Sequence, residues 1–386
     1  MTSPKTARRV IPLHEPRFAG NEWKYVKECL DSGWVSSAGK FVELFEKKAA
    51  KLTGTRHAVA TVNGTAGLHL ALRVLGVGPG DEVLLPSLTF IATANSVLYQ
   101  GAAALFLDVE EPTLGLDPEL VAAFLEKKCA RRRKGLYSRQ SGRRIAACLP
   151  MHALGHPARI DRLVEVCDHF NIPVVEDAAE ALGSYYRGQA LGSFGRIGVL
   201  SFNGNKIVTS GGGGMLVTDD RKLAARARHL STQAKSDTQA FWHDDLGYNY
   251  RLPNLNAAVG LAQLEQLGES LERKRRIALW YREALAGARN ARLLWEPAQA
   301  QSNFWLNTVQ AGTPALAARL LRALNAKGFA ARPLWAPCHR QEIFKGSAHA
   351  ELSVTDRLWR TCVNLPSSAG LARETVEAVA KVVASL

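Results

Sequence analysis

No apolar run in this 386-residue chain approaches the roughly 20 residues that a membrane-spanning helix needs, so no segment reads as one. The opening stretch, Met1 to Val10, carries charges but leads into no apolar signal core, and a cytoplasmic enzyme is the expectation. Cysteine is sparse: Cys29, Cys129, Cys148, Cys167, Cys338 and Cys362 are scattered, with no C-x-x-C pair. That spacing suits free, mostly buried thiols in a reducing compartment better than a disulfide framework. A P-loop is missing, and Gly76-Val77-Gly78-Pro79-Gly80 lacks the dinucleotide-binding spacing. His152 and His156 lie four apart, yet Gly155 and Pro157 break the helix that would align them on zinc. His243-Asp244-Asp245 has the same weakness, and spacing alone assembles no Ser/His/Asp set.

Acid is missing from one segment altogether. Residues 127 to 144 hold nine cations (Lys127, Lys128, Arg131, Arg132, Arg133, Lys134, Arg139, Arg143 and Arg144) and no Asp or Glu. They supply nine of the net +14, and the remaining +5 is ordinary for the rest of the chain. With Gly135, Ser138, Ser141 and Gly142 among them, they read as a solvated connection between a helix and the strand Ile145 to Pro150. Tyr137 is the segment's one aromatic, too few for stacking bases, which argues against nucleic acid.

What is present is an alternation of strand and helix from about residue 40 to 220. Short apolar runs (Ala58 to Val62, Glu82 to Pro86, Ala104 to Val109, Ile145 to Pro150, Ile172 to Glu176, Val199 to Asn203, Met215 to Thr218) alternate with segments of helical spacing (Phe41 to Leu52, Ala66 to Leu75, Thr93 to Gln100, Ile160 to Phe170). The pattern predicts an α/β chain with a mostly parallel sheet covered on both faces, ligands gathering at the carboxyl ends of the strands. A long helical stretch, Leu255 to Leu285, predicts a connector into a smaller α+β domain. Within it Trp305 to Val309 and Ala330 to Trp335 read as strands, Ala315 to Lys327 and Thr375 to Val383 as helices. The expected division is a large domain over 1–252, including the 127–144 insertion, and a connector helix with the small domain over 253–386.

Four short features carry chemistry. Lys206 lies in Phe202-Asn203-Gly204-Asn205-Lys206, before the glycine run 211 to 214. Asp177 closes the apolar run Ile172-Pro173-Val174-Val175-Glu176, twenty-nine residues upstream. Alone, the lysine reads as a surface residue, the acid as a helix cap and the glycines as a turn. Asn63-Gly64-Thr65 joins a strand to a helix, a turn that either caps the helix through Thr65 or cradles a phosphate at its free amides. Together they match the needs of pyridoxal 5′-phosphate: an amine for a Schiff base, a carboxylate against the pyridine nitrogen, and a phosphate turn.

The chain resembles the DegT/DnrJ/StrS family of pyridoxal phosphate-dependent sugar aminotransferases. The resemblance rests on Asn63 to Leu68, Gly78 to Val83, Pro86 to Asn95, His152 to Ala158, Glu176 to Ala181 and Gly247 to Leu252. It implies the aspartate-aminotransferase-like architecture, fold type I, and a homodimer with active sites at the interface. By the same resemblance Lys206 is the Schiff-base lysine, Asp177 the partner of the pyridine nitrogen, and Phe90 the aromatic stacked on the cofactor. Gly64, Thr65 and Ser201 would contact the phosphate, with Asn249 reaching it from the other subunit. Glu180 stands beside the ring hydroxyl, where many relatives have Gln. Ser210-Gly211-Gly212-Gly213-Gly214 departs from the acid-containing run of many relatives. With Asn203-Gly204-Asn205-Lys206 and Trp335-Ala336-Pro337-Cys338-His339-Arg340, it is similar to the LegC- and PglE-like branch. That likeness implies amination of the C4 ketone of a UDP-2-acetamido-2,6-dideoxy sugar by L-glutamate, toward bacillosamine- or legionaminate-type glycans and lipopolysaccharide. Arg251, His339 and Arg340 are candidates for the substrate. The alternatives are a 3-keto, GDP- or dTDP-linked sugar, or, in another class, a regulatory or nucleic-acid-binding protein using residues 127–144.

Overall fold

Short aliphatic strands bury both faces only when helices cover them from either side, and the chain builds that arrangement around one curled sheet. The computed structural model describes residues 10–237 and 239–385. In chain order the strands are β1 (His57–Thr61), β2 (Asp81–Pro86), β3 (Ala103–Leu107), β4 (Cys129–Arg132), β5 (Gly135–Ser138), β6 (Arg144–Cys148), β7 (Val175–Asp177), β8 (Ile197–Ser201) and β9 (Gly214–Thr218). Strands β3, β2 and β6 pair in parallel, and bridges at Cys148–Val174 and Met151–Asp177 carry the sheet on to β7. Strand β7 pairs in parallel with β8, and β9 runs antiparallel between β8 and β1. Alternation along the strands divides the core: Leu84 and Leu105 face one apolar cluster with Phe45 and Leu163, while Val83, Leu85 and Phe106 face another with Leu70 and Val97.

The basic segment is not the loop expected from its composition. Strands β4 and β5 form an antiparallel hairpin, Cys129 opposite Ser138 and Arg132 opposite Gly135, that extends the sheet beyond β6. Cys129 and Leu136 are buried beneath it, and Arg131 and Arg132 face solvent. Arg144 forms two bonds to Asp81, at 2.8 and 2.7 Å, and Arg132 lies over the Tyr137 ring at 4.8 Å. Arg131 and Arg132 lie on the edge strand β4, where charge discourages pairing with a foreign strand, while Lys127 and Lys128 end the preceding helix and Arg133, Lys134, Arg139 and Arg143 lie in the connections between strands.

The predicted connector helix is also interrupted. It runs as Asn254–Glu265 and Leu267–Ala284, broken at Gln266. The Gln266 side chain donates to Glu22 Oε1 at 2.7 Å and to its own Ala262 carbonyl at 3.3 Å, while its amide tightens to Gln263 O at 3.1 Å. Beyond it lies an antiparallel sheet, ordered β10 (Ala291–Leu293), β11 (Asn307–Ala311), β13 (Cys362–Leu365) and β12 (Arg332–Pro333). The expected strand over 330 to 335 shrinks to β12, because Pro333 has no amide to give and sits at the sheet edge. Two segments cross the boundary drawn at 252. Ile11 pairs with Gly328 and Ala330 beside the small sheet, and Ala348–His349 pairs with β3 of the large one.

Candidate active site

The carboxyl ends of β7 and β8 and the turn after β1 converge on a cavity of about 320 Å³. Gly64, Thr65, Phe90, Asp177, Glu180, Ser201 and Lys206 all line it. The helix Gly64–Val74 is capped by Asn63, not by Thr65: Asn63 Oδ1 accepts the Ala66 amide at 2.8 Å. This leaves the Thr65 hydroxyl and the first-turn amides on the cavity side, at the positive end of the helix. A Cβ on residue 64 would lie 3.1 Å from Ser201 Cβ, so glycine keeps the two walls of this turn close. Behind it, a Cβ on residue 214 would fall 2.4 Å from Asn63 O, which explains a glycine where β9 begins.

Asp177 is buried and held at both oxygens. Thr93 donates to Oδ2 at 2.6 Å and the Ala179 amide to Oδ1 at 3.1 Å. Burial raises its carboxyl above the ordinary range, opposed by those two bonds and by the positive charge of Lys206. Glu180 receives the Leu154 amide on Oε2 at 2.9 Å and Lys206 Nζ on Oε1 at 3.1 Å. Its carboxyl is also raised, first by burial, with Lys206 pulling the other way. Phe90 ends the approach to the helix Ile91–Leu98 and keeps half its surface exposed at the cavity, available for stacking.

The neighbouring Glu176 has a different task. Its carboxylate collects the amides of Gly192, Phe194 and Gly195 at 2.9, 2.7 and 2.8 Å. His152 Nδ1 accepts the Ala158 amide at 3.2 Å, which leaves Nε2–H to donate to Glu176 at 3.0 Å. His156 is buried with its ring edge against Phe304, its centroid 5.5 Å away, and burial pushes its pKa down to about 4. Among the described residues no three His, Cys, Asp or Glu side chains gather as a metal site.

Sequence reading missed the far wall. Residues 305 and 306 were expected in a strand, but Phe304 takes a left-handed conformation (φ 47°) and the ladder starts only at Asn307. The preceding Asn303 donates from Nδ2 to the carbonyls of Glu180 and Leu182, at 2.8 and 2.9 Å, and accepts the Trp305 amide at 2.8 Å. This clamp drives the Trp305 indole into the cavity, where it donates to Asn205 O at 2.8 Å and faces Lys206 Nζ. Trp335 lines the same cavity from the motif singled out for its resemblance.

Four candidates lie outside the cavity of their own chain. Arg251 packs 3.5 Å from Glu46, a carboxylate that Arg228 also grips with two bonds. His339 Nδ1 meets Ser87 Oγ at 2.8 Å, and Arg340 clasps both oxygens of Asp356. These two are thereby engaged with side chains that do not line the cavity. Asn249 is exposed, paired through its backbone with Thr232, and does not line the cavity.

The donor set fits pyridoxal phosphate: a lysine and a buried carboxylate facing one cavity, with a glycine turn and a helix N-terminus for the phosphate. Comparison with known proteins agrees. The chain is 40% identical to a GDP-perosamine synthase of Caulobacter vibrioides over 96% of both chains. It is 36% identical to one of Escherichia coli O157:H7, over 95% of this chain and 96% of that one. The crystal structure of the aminotransferase TlmJ from Streptoalloteichus hindustanus superposes with a TM-score of 0.88 at 30% identity, covering 97% of this chain and 98% of that one. These relatives do not carry the names of the LegC- and PglE-like branch that the lysine's surroundings suggested. Residues 16–384 match the DegT/DnrJ/EryC1/StrS aminotransferase family, and the chain belongs to it: a sugar aminotransferase of fold type I that depends on pyridoxal phosphate.

Proposed function

We propose that the chain transfers the amino group of L-glutamate to the C4 ketone of a nucleotide-linked 4-keto-6-deoxy sugar, with GDP as the nucleotide. The observation that carries the nucleotide is the 40% identity to a GDP-perosamine synthase over nearly the whole of both chains. The UDP-linked acetamido sugar implied by Asn203-Gly204-Asn205-Lys206 is the second reading. In either case the product would feed a glycan of the lipopolysaccharide type.

When bound, the cofactor supplies an aldehyde carbon and a ring that accepts electrons. Gly64, Thr65 and Ser201 would hold its phosphate, and Phe90 would stack against the ring. Asp177, held by Thr93 and the Ala179 amide, would keep the ring nitrogen protonated. Glu180 would meet the ring hydroxyl and Lys206. Lys206 would move the proton at the substrate carbon as general acid and base. Arg251, His339 and Arg340 would reach substrate by leaving their present partners, since each is tied to a side chain outside the cavity.

A homodimer belongs to the proposal. Trp23, Trp34, Phe241 and Trp242 are each at least 60% exposed, large aromatic side chains that a second copy would cover. Asn249 is exposed away from its own cavity, as a residue serving a partner's phosphate site would be. The division into a large domain over 1–252 and a small one over 253–386 is proposed for the main strands of the two sheets, with Ile11 and Ala348–His349 crossing it.

The test is a panel of GDP-, UDP- and dTDP-linked 3-keto and 4-keto sugars, each with L-glutamate, with products identified by mass and NMR. Amination confined to GDP-linked 4-keto sugars is expected. Turnover of the UDP-acetamido sugar alone would replace the GDP reading with the UDP one. Failure of every keto sugar, with salt-sensitive DNA binding lost on removing 127–144, would favour the nucleic-acid alternative.

A further inference from the structure

The Lys206 ammonium sits between two groups from distant parts of the chain. Glu180 Oε1 lies 3.1 Å away, and the centre of the Trp305 ring lies 4.1 Å from Nζ. The contact is largely dry, with the lysine side chain 13% exposed and Glu180 2%. A cation over an indole face gains most when it is shielded from water. Trp305 is itself fixed at several points. Its indole N–H bonds Asn205 O at 2.8 Å, the residue just before the lysine, and its carbonyl accepts Lys274 Nζ at 2.7 Å. The tryptophan therefore cannot drift relative to the turn that carries Lys206.

In a transamination the lysine nitrogen is joined to the cofactor for only part of the cycle. With the cofactor bound, exchange of the donor's nitrogen for the lysine nitrogen at the aldehyde-derived carbon would release Lys206 as a neutral amine, the donor's ammonium supplying the protons, and that amine becomes an ammonium when it takes the proton from the substrate carbon. It must then remain within about 3.5 Å of the substrate carbon, although four rotatable bonds would let it wander. We propose that the face of Trp305 and the carboxylate of Glu180 form the cradle that holds the Lys206 ammonium once it has taken the substrate proton and until it gives that proton up, making Trp305 a positioning residue for the proton transfer. Glu180 fixes one N–H by direction, whereas the indole face attracts the charge without fixing an angle. The amine can therefore swing between resting and reacting positions without leaving the wall. This inference rests on the aminotransferase chemistry and not on the identity of the sugar.

Three changes at residue 305 test it on the full-length enzyme. Trp305→Phe keeps a ring face and loses the indole N–H. Trp305→Met fills the space without a ring. A tetrafluorinated tryptophan at 305 keeps outline and hydrogen bond but depletes the ring's negative face. Two quantities are read: the single-turnover rate with L-glutamate, and the rate at which an amine-reactive reagent labels Lys206, scored by peptide mass. Labelling is measured both after conversion with glutamate and without cofactor, so a failure of glutamate as donor is separated from a failure of the cradle. The Met and fluorinated forms should lose about tenfold in saturating rate, with half-saturating glutamate changed less than about twofold, and should label about fivefold faster. The Phe form should stay within about threefold of wild type on both. The fluorinated form preserves packing, so it answers even if the Met form does not fold. Wild-type rate and labelling in that form would overturn the proposal, as would a loss carried wholly by half-saturating glutamate.

Discussion

Thr93 gives its hydroxyl proton to Asp177 Oδ2 at 2.6 Å, joining the helix Ile91–Leu98 to the end of β7 at the floor of the cavity. The Thr89 hydroxyl lies 2.7 Å from that of Thr93 and completes the chain. A carboxylate buried this deeply stays ionised only if such donors offset the loss of water. Thr93→Val should push the Asp177 carboxyl further up and weaken its hold on a protonated ring. Cofactor affinity, titrated by absorbance, should fall about tenfold or more, the scale of one hydrogen bond to a charged group. Unchanged affinity would mean that the Ala179 amide suffices.

Gly64 offers a test that separates ligand binding from folding. Its missing side chain lets the turn approach Ser201, and a methyl group there would stand 3.1 Å from Ser201 Cβ and 3.3 Å from Oγ. Gly64→Ala should lower cofactor affinity about tenfold by intruding on the phosphate cradle. Thermal melting without cofactor should move by only a few degrees, on the order of 1 kcal/mol for so small a clash. An equal loss with and without cofactor would make Gly64 a packing residue alone.

Lys274 predicts a pH dependence of stability. Its side chain is fully buried, Nζ donates to the carbonyls of Trp305 and Ser367, and among the described residues no acid pairs with it. Burial lowers its pKa well below the usual lysine value of 10.5. The unfolded chain therefore binds the extra proton across the interval from the lowered value to 10.5, and stability gains as pH rises through it. Denaturant unfolding of wild type and Lys274→Met at several pH values should show wild type gaining on the variant toward alkaline pH. A difference that stays flat from pH 6 to about 10 would show the ammonium buried in charged form.

The parts of this site that were legible in the sequence are those whose chemistry demands a residue type at a local position. Asp177 ends an apolar strand, Lys206 precedes a glycine run, and Gly64-Thr65 opens a helix; the structure brings all of them to one cavity. Trp305 was not legible, because its place depends on a left-handed Phe304 and on Asn303 reaching back to Glu180 and Leu182, contacts made across more than a hundred residues. The hairpin β4–β5 was hidden for another reason. Its arginines and glycines read as solvent-facing turn, while the two apolar residues it buries, Cys129 and Leu136, are too few to show a period. The break at Gln266 arises from a side chain bonding Glu22, which helical spacing does not record.

Glu180 allows the sharpest separation of fold from function. Burial raises its carboxyl above the ordinary value of 4.5, more than attraction to Lys206 and the Leu154 amide lowers it. A carboxyl that binds its proton more tightly when folded favours the fold below its ordinary range. That contribution is lost as pH rises through the raised value. Glu180→Gln retains acceptor oxygen and shape, removes the titration, and should make the cofactor-free chain more stable than wild type at neutral pH. Its advantage should vanish as the medium is acidified below about pH 4.5, because the wild-type side chain is then protonated in both states. The same substitution removes the carboxylate facing Lys206 Nζ at 3.1 Å, so the glutamate half-reaction should slow while the cofactor still binds. Melting curves from pH 4 to 8, paired with single-turnover rates, check both arms. A variant less stable than wild type at pH 7 would show that the Lys206–Glu180 attraction outweighs the burial of the carboxylate.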